Sequence, residues 1–155
     1  MDTITSFTRE HRFLSNFWRV LIKYNERTYP TVEHAYQAAK IDPRELNYTQ
    51  MCREIRSLLT PGLAKRYGRN VPMRPDWNKQ KLEIMIALVR QKFEQPDLAE
   101  MLIATSPAIL IEVNNWDDCY WGICNGQGAN HLGNILMVTR GELMRKRKSY
   151  LAAAR

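Results

Sequence analysis

Glu33, Tyr36, Gln37 and Lys40 stand at i, i+3, i+4 and i+7 within the stretch YPTVEHAYQAAK. In a helix that spacing puts a carboxylate, a phenol, an amide and an amine on one strip. Thr31 is suited to cap such a helix, which would run to about Lys40. Glu33 then falls in the first turn, where the helix dipole favours an ionised carboxylate. Lys40 follows about 10 Å further along the axis, at about 1.5 Å per residue. A strip of this kind can line a pocket for a polar ligand, or it can be an ordinary solvated face with an intrahelical ion pair. Spacing alone leaves both open. Val32, Ala35 and Ala39 form a second face, small enough for close packing.

A second chemical cluster lies late, in NNWDDCYWGICNGQGANHLG. Trp116, Tyr120 and Trp121 sit beside Gly122, Gly126, Gly128, Asn130 and Gly133, with Glu112, Asp117 and Asp118 close in sequence. Glycines permit a backbone to approach a ligand, and tryptophan offers a flat surface for a base. A structureless loop of roughly 18 residues in a small domain is usually functional. No Gly-Lys-Ser/Thr follows the glycines, so this is not a phosphate-binding loop of the common type. Lys65, Arg66 and Arg69 around Gly68 suit either a phosphate or a solvated helix end. Histidines 11, 34 and 131 have no nucleophile at a diagnostic spacing, which disfavours a Ser-His or Cys-His hydrolase. Cys119, Cys124 and His131 lack the paired short spacings of a zinc site, and no metal is expected.

The elements that must hold these residues are legible in outline. Ile4 and Phe7, then Val20, Ile22 and Tyr24, suggest short strands, with a turn near Asn25-Glu26. Asp42-Pro43 reads as cap and first position of a helix through Leu59, and Thr60-Pro61 as the start of a short helix closed by Gly68. The apolar spacing of Leu82, Met85, Ile86, Val89 and Phe93 predicts a core-facing helix over 77–94. A further helix is predicted from Pro96 to Ala104, a buried strand from Ala108 to Val113, and a last helix through Leu132, Ile135, Leu136 and Leu143. The fold class expected is α+β, one domain, mainly helical with a small sheet.

Length and charge bound what this domain can be. At 155 residues, 45% hydrophobic and 25% charged, the chain has the composition of a soluble globular domain. Its net charge is +7, but six of the 23 Lys and Arg and one of the 16 Asp and Glu fall in residues 140–155. That stretch carries +5 of the total, so the basic signal is mostly a tail on a nearly balanced body. Three cysteines suit a reducing compartment, and neither a membrane span nor a secretion signal is expected. The expected location is cytoplasmic.

Taken together, these stretches resemble the YbiA-like branch of the NADAR superfamily. LSNF at Leu14 to Phe17 and YPTVEHAYQAAK at Tyr29 to Lys40 begin the pattern. Ala64-Lys65 with Gly68-Arg69, Trp77 with Lys81 and Met85, and Lys92-Phe93 continue it. Leu102, Thr105, Glu112, Trp121-Gly122, Gly128-x-Asn130-x-Leu132-Gly133 and Ile135-Leu-Met137 with Arg140 complete it, over about residues 7 to 143.

The resemblance implies a single compact YbiA-like domain over 1–143 and a basic tail over 144–155. It also implies a hydrolase of N-glycosidic bonds between ribose C1 and nitrogen, working without metal or cofactor. Expected substrates are phosphorylated ribosylamine intermediates of riboflavin synthesis, or ADP-ribosyl compounds such as ADP-ribosylated guanine. The tail would then serve an ADP-ribosylated nucleic acid. Breaking this bond builds positive charge at the ribose, which a fixed carboxylate stabilises. Glu33 is the candidate for that role, with Lys40 a candidate nucleophile towards the sugar carbon and Asp118 a proton acceptor. Trp121, beside Gly122, would stack the base. Asn16, Tyr36, Gln37 and Asn130 would read polar groups, and Arg69 and Arg140 would meet phosphate. The alternative, from another class, is a nucleotide-sensing or nucleic-acid-binding module that keeps the pocket without turnover.

Overall fold

The structure is a computed structural model that describes residues 2–154. Arg155, counted in the charge of the tail, lies outside the described residues. The chain forms two compact units, one from the residues up to Ser15 together with those from Phe93 onward, the other Asn16–Lys92. The fold is α+β and mainly helical, as expected. The small sheet is in fact three separate two-stranded pairs.

The Asn16–Lys92 unit opens with a hairpin of β2 (Ile22–Tyr24) and β3 (Arg27–Tyr29), registered Ile22 to Tyr29 and Tyr24 to Arg27. Asn25 and Glu26 form its turn, both at positive φ, as a tight turn matched to strand twist requires. The hairpin delivers Thr31, whose hydroxyl accepts the His34 N–H and caps α1 (Val32–Ala39). All eight residues of α1 are buried. The solvated-face alternative for the Glu33 strip therefore falls away. Ala35, Ala38 and Ala39 leave room for α2 (Tyr48–Ser57), α3 (Pro61–Tyr67), α4 (Trp77–Lys92) and the hairpin to pack around α1.

Two predicted boundaries move. The helix expected from Pro43 starts instead at Tyr48, because Asp42 is engaged elsewhere. Its N–H donates to the Pro72 carbonyl, and its carboxylate accepts from both the backbone and the guanidinium of Arg44. The helix expected over 77–94 ends at Lys92. Its buried side is Trp77, Met85, Leu88, Val89 and Lys92, with Leu82 and Ile86 half-buried.

In the other unit β1 (Thr3–Ile4) pairs in parallel with β4 (Ile109–Leu110), and a 3₁₀ helix follows at Arg9–Leu14. β5 (Val113–Asn114) pairs in parallel with β6 (Ile123–Cys124). α5 (Pro96–Ala104) packs on α6 (His131–Ala153), with Leu102, Leu110, Leu132 and Leu136 fully buried. The single strand predicted over 108–113 is two strands with different partners. Between them the Asn130 side chain takes over the ladder groups, accepting from Glu112 N–H and donating to the Leu110 carbonyl. α6 continues through the basic tail without a break, and no described helix is long and apolar enough to cross a membrane.

Candidate active site

Glu33 lies in the first turn of α1 with only 7% of its surface exposed. Burying a carboxylate is costly unless polar partners meet it, and the local structure supplies them. The Glu33 N–H donates to the Asn16 carbonyl at 3.1 Å, and Gln37 Nε2 donates to Glu33 Oε1 at 2.6 Å. The positive end of the α1 dipole adds to this support. Asn16, buried beside the α1 start, donates through Nδ2 to Met85 Sδ at 3.4 Å. Thioether sulfur is a weak acceptor. Asn16 Oδ1 is buried with no hydrogen-bond partner among the described residues, and so is Gln37 Oε1.

Further along the same helix, Tyr36 is buried with its ring 5.0 Å from that of Trp77. Lys40 Nζ stands 5.6 Å from the centre of the Tyr36 ring, within cation–π range. Burial pushes the Lys40 pKa down. The Glu33 carboxylate opposes that shift, and Lys65, Arg69 and Lys81 reinforce it by like-charge repulsion. A half-buried amine thus faces one carboxylate and three cations, drawn from α1, α3, α4 and the turn after α3. Such a field suits a ligand carrying both a group that pairs with a carboxylate and an anionic group. Arg69 is exposed, as a residue meeting a phosphate can be.

The start of α1 is held by a second neutral device. His34 Nε2 faces the Leu58 carbonyl at 3.1 Å and therefore carries the proton, while Nδ1 meets the Thr31 hydroxyl at 2.7 Å. Burial lowers the His34 pKa, the bond to Leu58 works against this, and Arg19 adds to the lowering.

The late cluster belongs to the other unit. Asp118 Oδ1 accepts the N–H groups of Tyr120 and Trp121, and the Asn114 amide donates to the Asp118 carbonyl. One carboxylate oxygen of Asp118 thereby organises the turn that presents Trp121. The indole packs edge-on to Tyr120 at 4.8 Å and is half-buried, whereas Trp116 is exposed. Gly122 is required for packing, since a Cβ there would meet the Glu112 carbonyl oxygen at 2.2 Å. Asn130, at φ 50, spends both ends of its amide on the backbone of residues 110 and 112. Arg140 is buried, and its Nη1 donates to Thr105 Oγ1 and the Ala108 carbonyl. The leading N–H groups of α6 bond to the Tyr120 and Trp121 carbonyls, which closes this helix start to an anion.

The structure thus brings Asn16, Glu33, Tyr36, Gln37, Lys40 and Arg69 together in one unit. It gathers Asp118, Trp121, Gly122 and Asn130 in the other, where Arg140 ties α6 to residues 105–108. Sequence reading missed the contacts of Met85 with Asn16, of Trp77 with Tyr36 and of Gly68 with Gln37. Met85, Trp77 and Gly68 all stand in the motif pattern, but no local signal says what they touch.

Comparison with known proteins gives a consistent result. A family model, the NADAR domain, matches residues 5–144. N-glycosidase YbiA of Shigella boydii serotype 4 (strain Sb227) is 40% identical over 149 residues, covering 92% of this chain and 89% of that protein. The chloroplastic riboflavin biosynthesis protein PYRR of Zea mays is 34% identical over 128 residues, 76% of this chain and 20% of that longer protein. The NMR structure of the E. coli protein YbiA is similar with a TM-score of 0.77 and 36% identity, covering 94% of this chain and 85% of that one.

Proposed function

The chain belongs to the NADAR domain family, and we propose that it is an N-glycosidase whose reaction centres on Glu33. The observation that carries this reading is a buried carboxylate at the α1 start, held by the Gln37 amide, on the same helix as an amine whose pKa burial lowers. In the reaction the C1–N bond of a riboside breaks and its electron pair leaves with the nitrogen, which takes up a proton. Water supplies oxygen to C1. The positive charge that develops on the sugar is stabilised by Glu33, fixed in advance and little solvated. Asn16 Oδ1, a buried acceptor with no partner among the described residues, accepts a hydrogen bond from a sugar hydroxyl. Lys40, Arg69, Lys65 and Lys81 form the positive field that receives a substrate phosphate.

The substrate assigned is a phosphorylated ribosylamine, such as a ribosylaminopyrimidine phosphate, releasing ribose 5-phosphate. Similarity to a riboflavin biosynthesis protein and the cation cluster around Lys40 support that choice. ADP-ribosyl compounds share the same C1–N bond and phosphate, and they form the second substrate class. Glu33→Gln tests the central assignment. Loss of one electrostatic stabiliser should lower kcat about 100- to 1000-fold, while ligand still binds. Product release by Glu33→Gln at the original rate sinks it.

A further inference from the structure

Gly68, directly after α3, is glycine for a reason that its own backbone does not supply. Its φ of −64° and ψ of −9° lie in the right-handed helical region, which alanine adopts without strain. A Cβ at this position would instead stand 1.9 Å from Gln37 Oε1, 2.7 Å from its Cδ and 3.1 Å from its Cβ. The space left by the missing side chain is filled by the Gln37 amide. This accounts for a second oddity, that Gln37 Oε1 is buried with no hydrogen-bond partner among the described residues. The oxygen lies against the bare Cα of residue 68, and the other end of the amide donates to Glu33 Oε1 at 2.6 Å. Turning the amide over would set two acceptors against each other, so its orientation is fixed by the carboxylate. α1 and α3 pack together, and Gln37 itself is 2% exposed, so a displaced amide has no solvent to enter.

We infer that Gly68 and Gln37 are positioning residues for Glu33. The bare Cα at 68 seats the Gln37 amide, and the amide holds one Glu33 oxygen in place. Gln37 then acts on the substrate through Glu33 rather than by touching it. This inference rests on the role proposed for Glu33. A carboxylate that must meet a developing charge loses rate steeply when displaced by about 1 Å, by up to about 100-fold. Such a loss falls on kcat more than on KM, because the ground-state contacts of the ligand are left in place.

The test is a mutant cycle of Gly68→Ala, Gln37→Ala and the double variant, with a ribosylaminopyrimidine phosphate as substrate and Tm recorded for each. Gly68→Ala and Gln37→Ala should each lower kcat about 10- to 100-fold with KM little changed. The double variant should be no slower than Gln37→Ala alone, since with the amide gone the new methyl group meets only the Cβ of residue 37, at 3.1 Å, a contact relieved by a shift of a few tenths of an ångström. Losses that multiply in the double variant, or full kcat in a folded Gly68→Ala protein, overturn the inference. Should Gly68→Ala fail to fold, Gln37→Met keeps the length of the side chain and the glycine but removes the donor. It should lose kcat in a protein that still folds, with Tm lowered because buried Glu33 loses a donor, and an undiminished kcat overturns the inference. Glu33→Gln is run alongside. If it turns over normally, the assignment of Glu33 falls and this one with it. If it is slow while the cycle multiplies, only the positioning role falls.

Discussion

Lys40 shows how a single residue can be tuned by what surrounds it. Burial lowers its pKa first, Glu33 opposes, and Lys65, Arg69 and Lys81 push the same way as burial. A lowered pKa raises the fraction of free amine at neutral pH, and free amine is the form that attacks carbon. In a covalent route Nζ bonds to the sugar C1 as the substrate nitrogen leaves with its electron pair and a proton. The C1–O bond of the ring then breaks, its oxygen takes up a proton, and the nitrogen lone pair closes an iminium to C1 of the open sugar. Water hydrolyses that iminium to the free sugar phosphate and returns the lysine. Borohydride added during turnover should reduce that iminium, leaving an enzyme heavier by one sugar phosphate and inactive, and Lys40→Ala should form no adduct. An active enzyme that yields no adduct would mean that water attacks C1 directly, with Lys40 kept as a cation for the phosphate.

At the scale of elements, α1 matters most, because a helix with no solvated face must find the partners of its polar groups inside the protein. The Thr31–His34–Leu58 chain matches its start only while the imidazole is neutral, since Nδ1 must accept from the Thr31 hydroxyl. Burial lowers the His34 pKa in the fold, whereas the unfolded chain titrates near 6.5. Between those two values the unfolded state binds the extra proton, so stability is full above about 6.5 and declines as pH falls through the lower, folded value. Comparing urea midpoints at pH 7.5 and 5.5, the original protein should lose more than His34→Gln. Equal losses would remove His34 from the account. The starts of α1, α3 and α5 are readable from Thr31, Thr60-Pro61 and Pro96, because capping is decided within four residues. The start of α2 is not readable, because Pro72, distant in sequence, takes the N–H of Asp42. The same limit hides Gly68 and splits the strand over 108–113. Spacing shows which residues share a helix face, while the partner of that face lies elsewhere in the chain.

For the whole molecule, the net +7 is unevenly placed, and its placement bears on the substrate. From Arg145 onward α6 is exposed at every described residue. An ion pair there, Arg147 with Glu100 at 2.9 Å, is itself largely exposed and contributes about 0–1 kcal/mol. Removing residues 145–155 should therefore leave Tm within a few degrees. It should also leave kcat/KM on a ribosylaminopyrimidine phosphate within about twofold, because in the proposed site the cations around Lys40 would meet a small ligand's phosphate without a second phosphate site. A substrate with ADP-ribose on a nucleic acid would behave otherwise. Arg145, Lys146, Arg147 and Lys148 would each neutralise backbone phosphate, and the logarithm of affinity would fall with that of salt by about 0.9 per contact. Assaying both substrates between low and moderate salt, with and without the tail, separates the cases. Turnover of the small substrate that ignores the truncation supports the ribosylamine phosphate as substrate. Turnover confined to the polymer, steep in salt and lost with the tail, would move the protein to the second substrate class while leaving Glu33 in place.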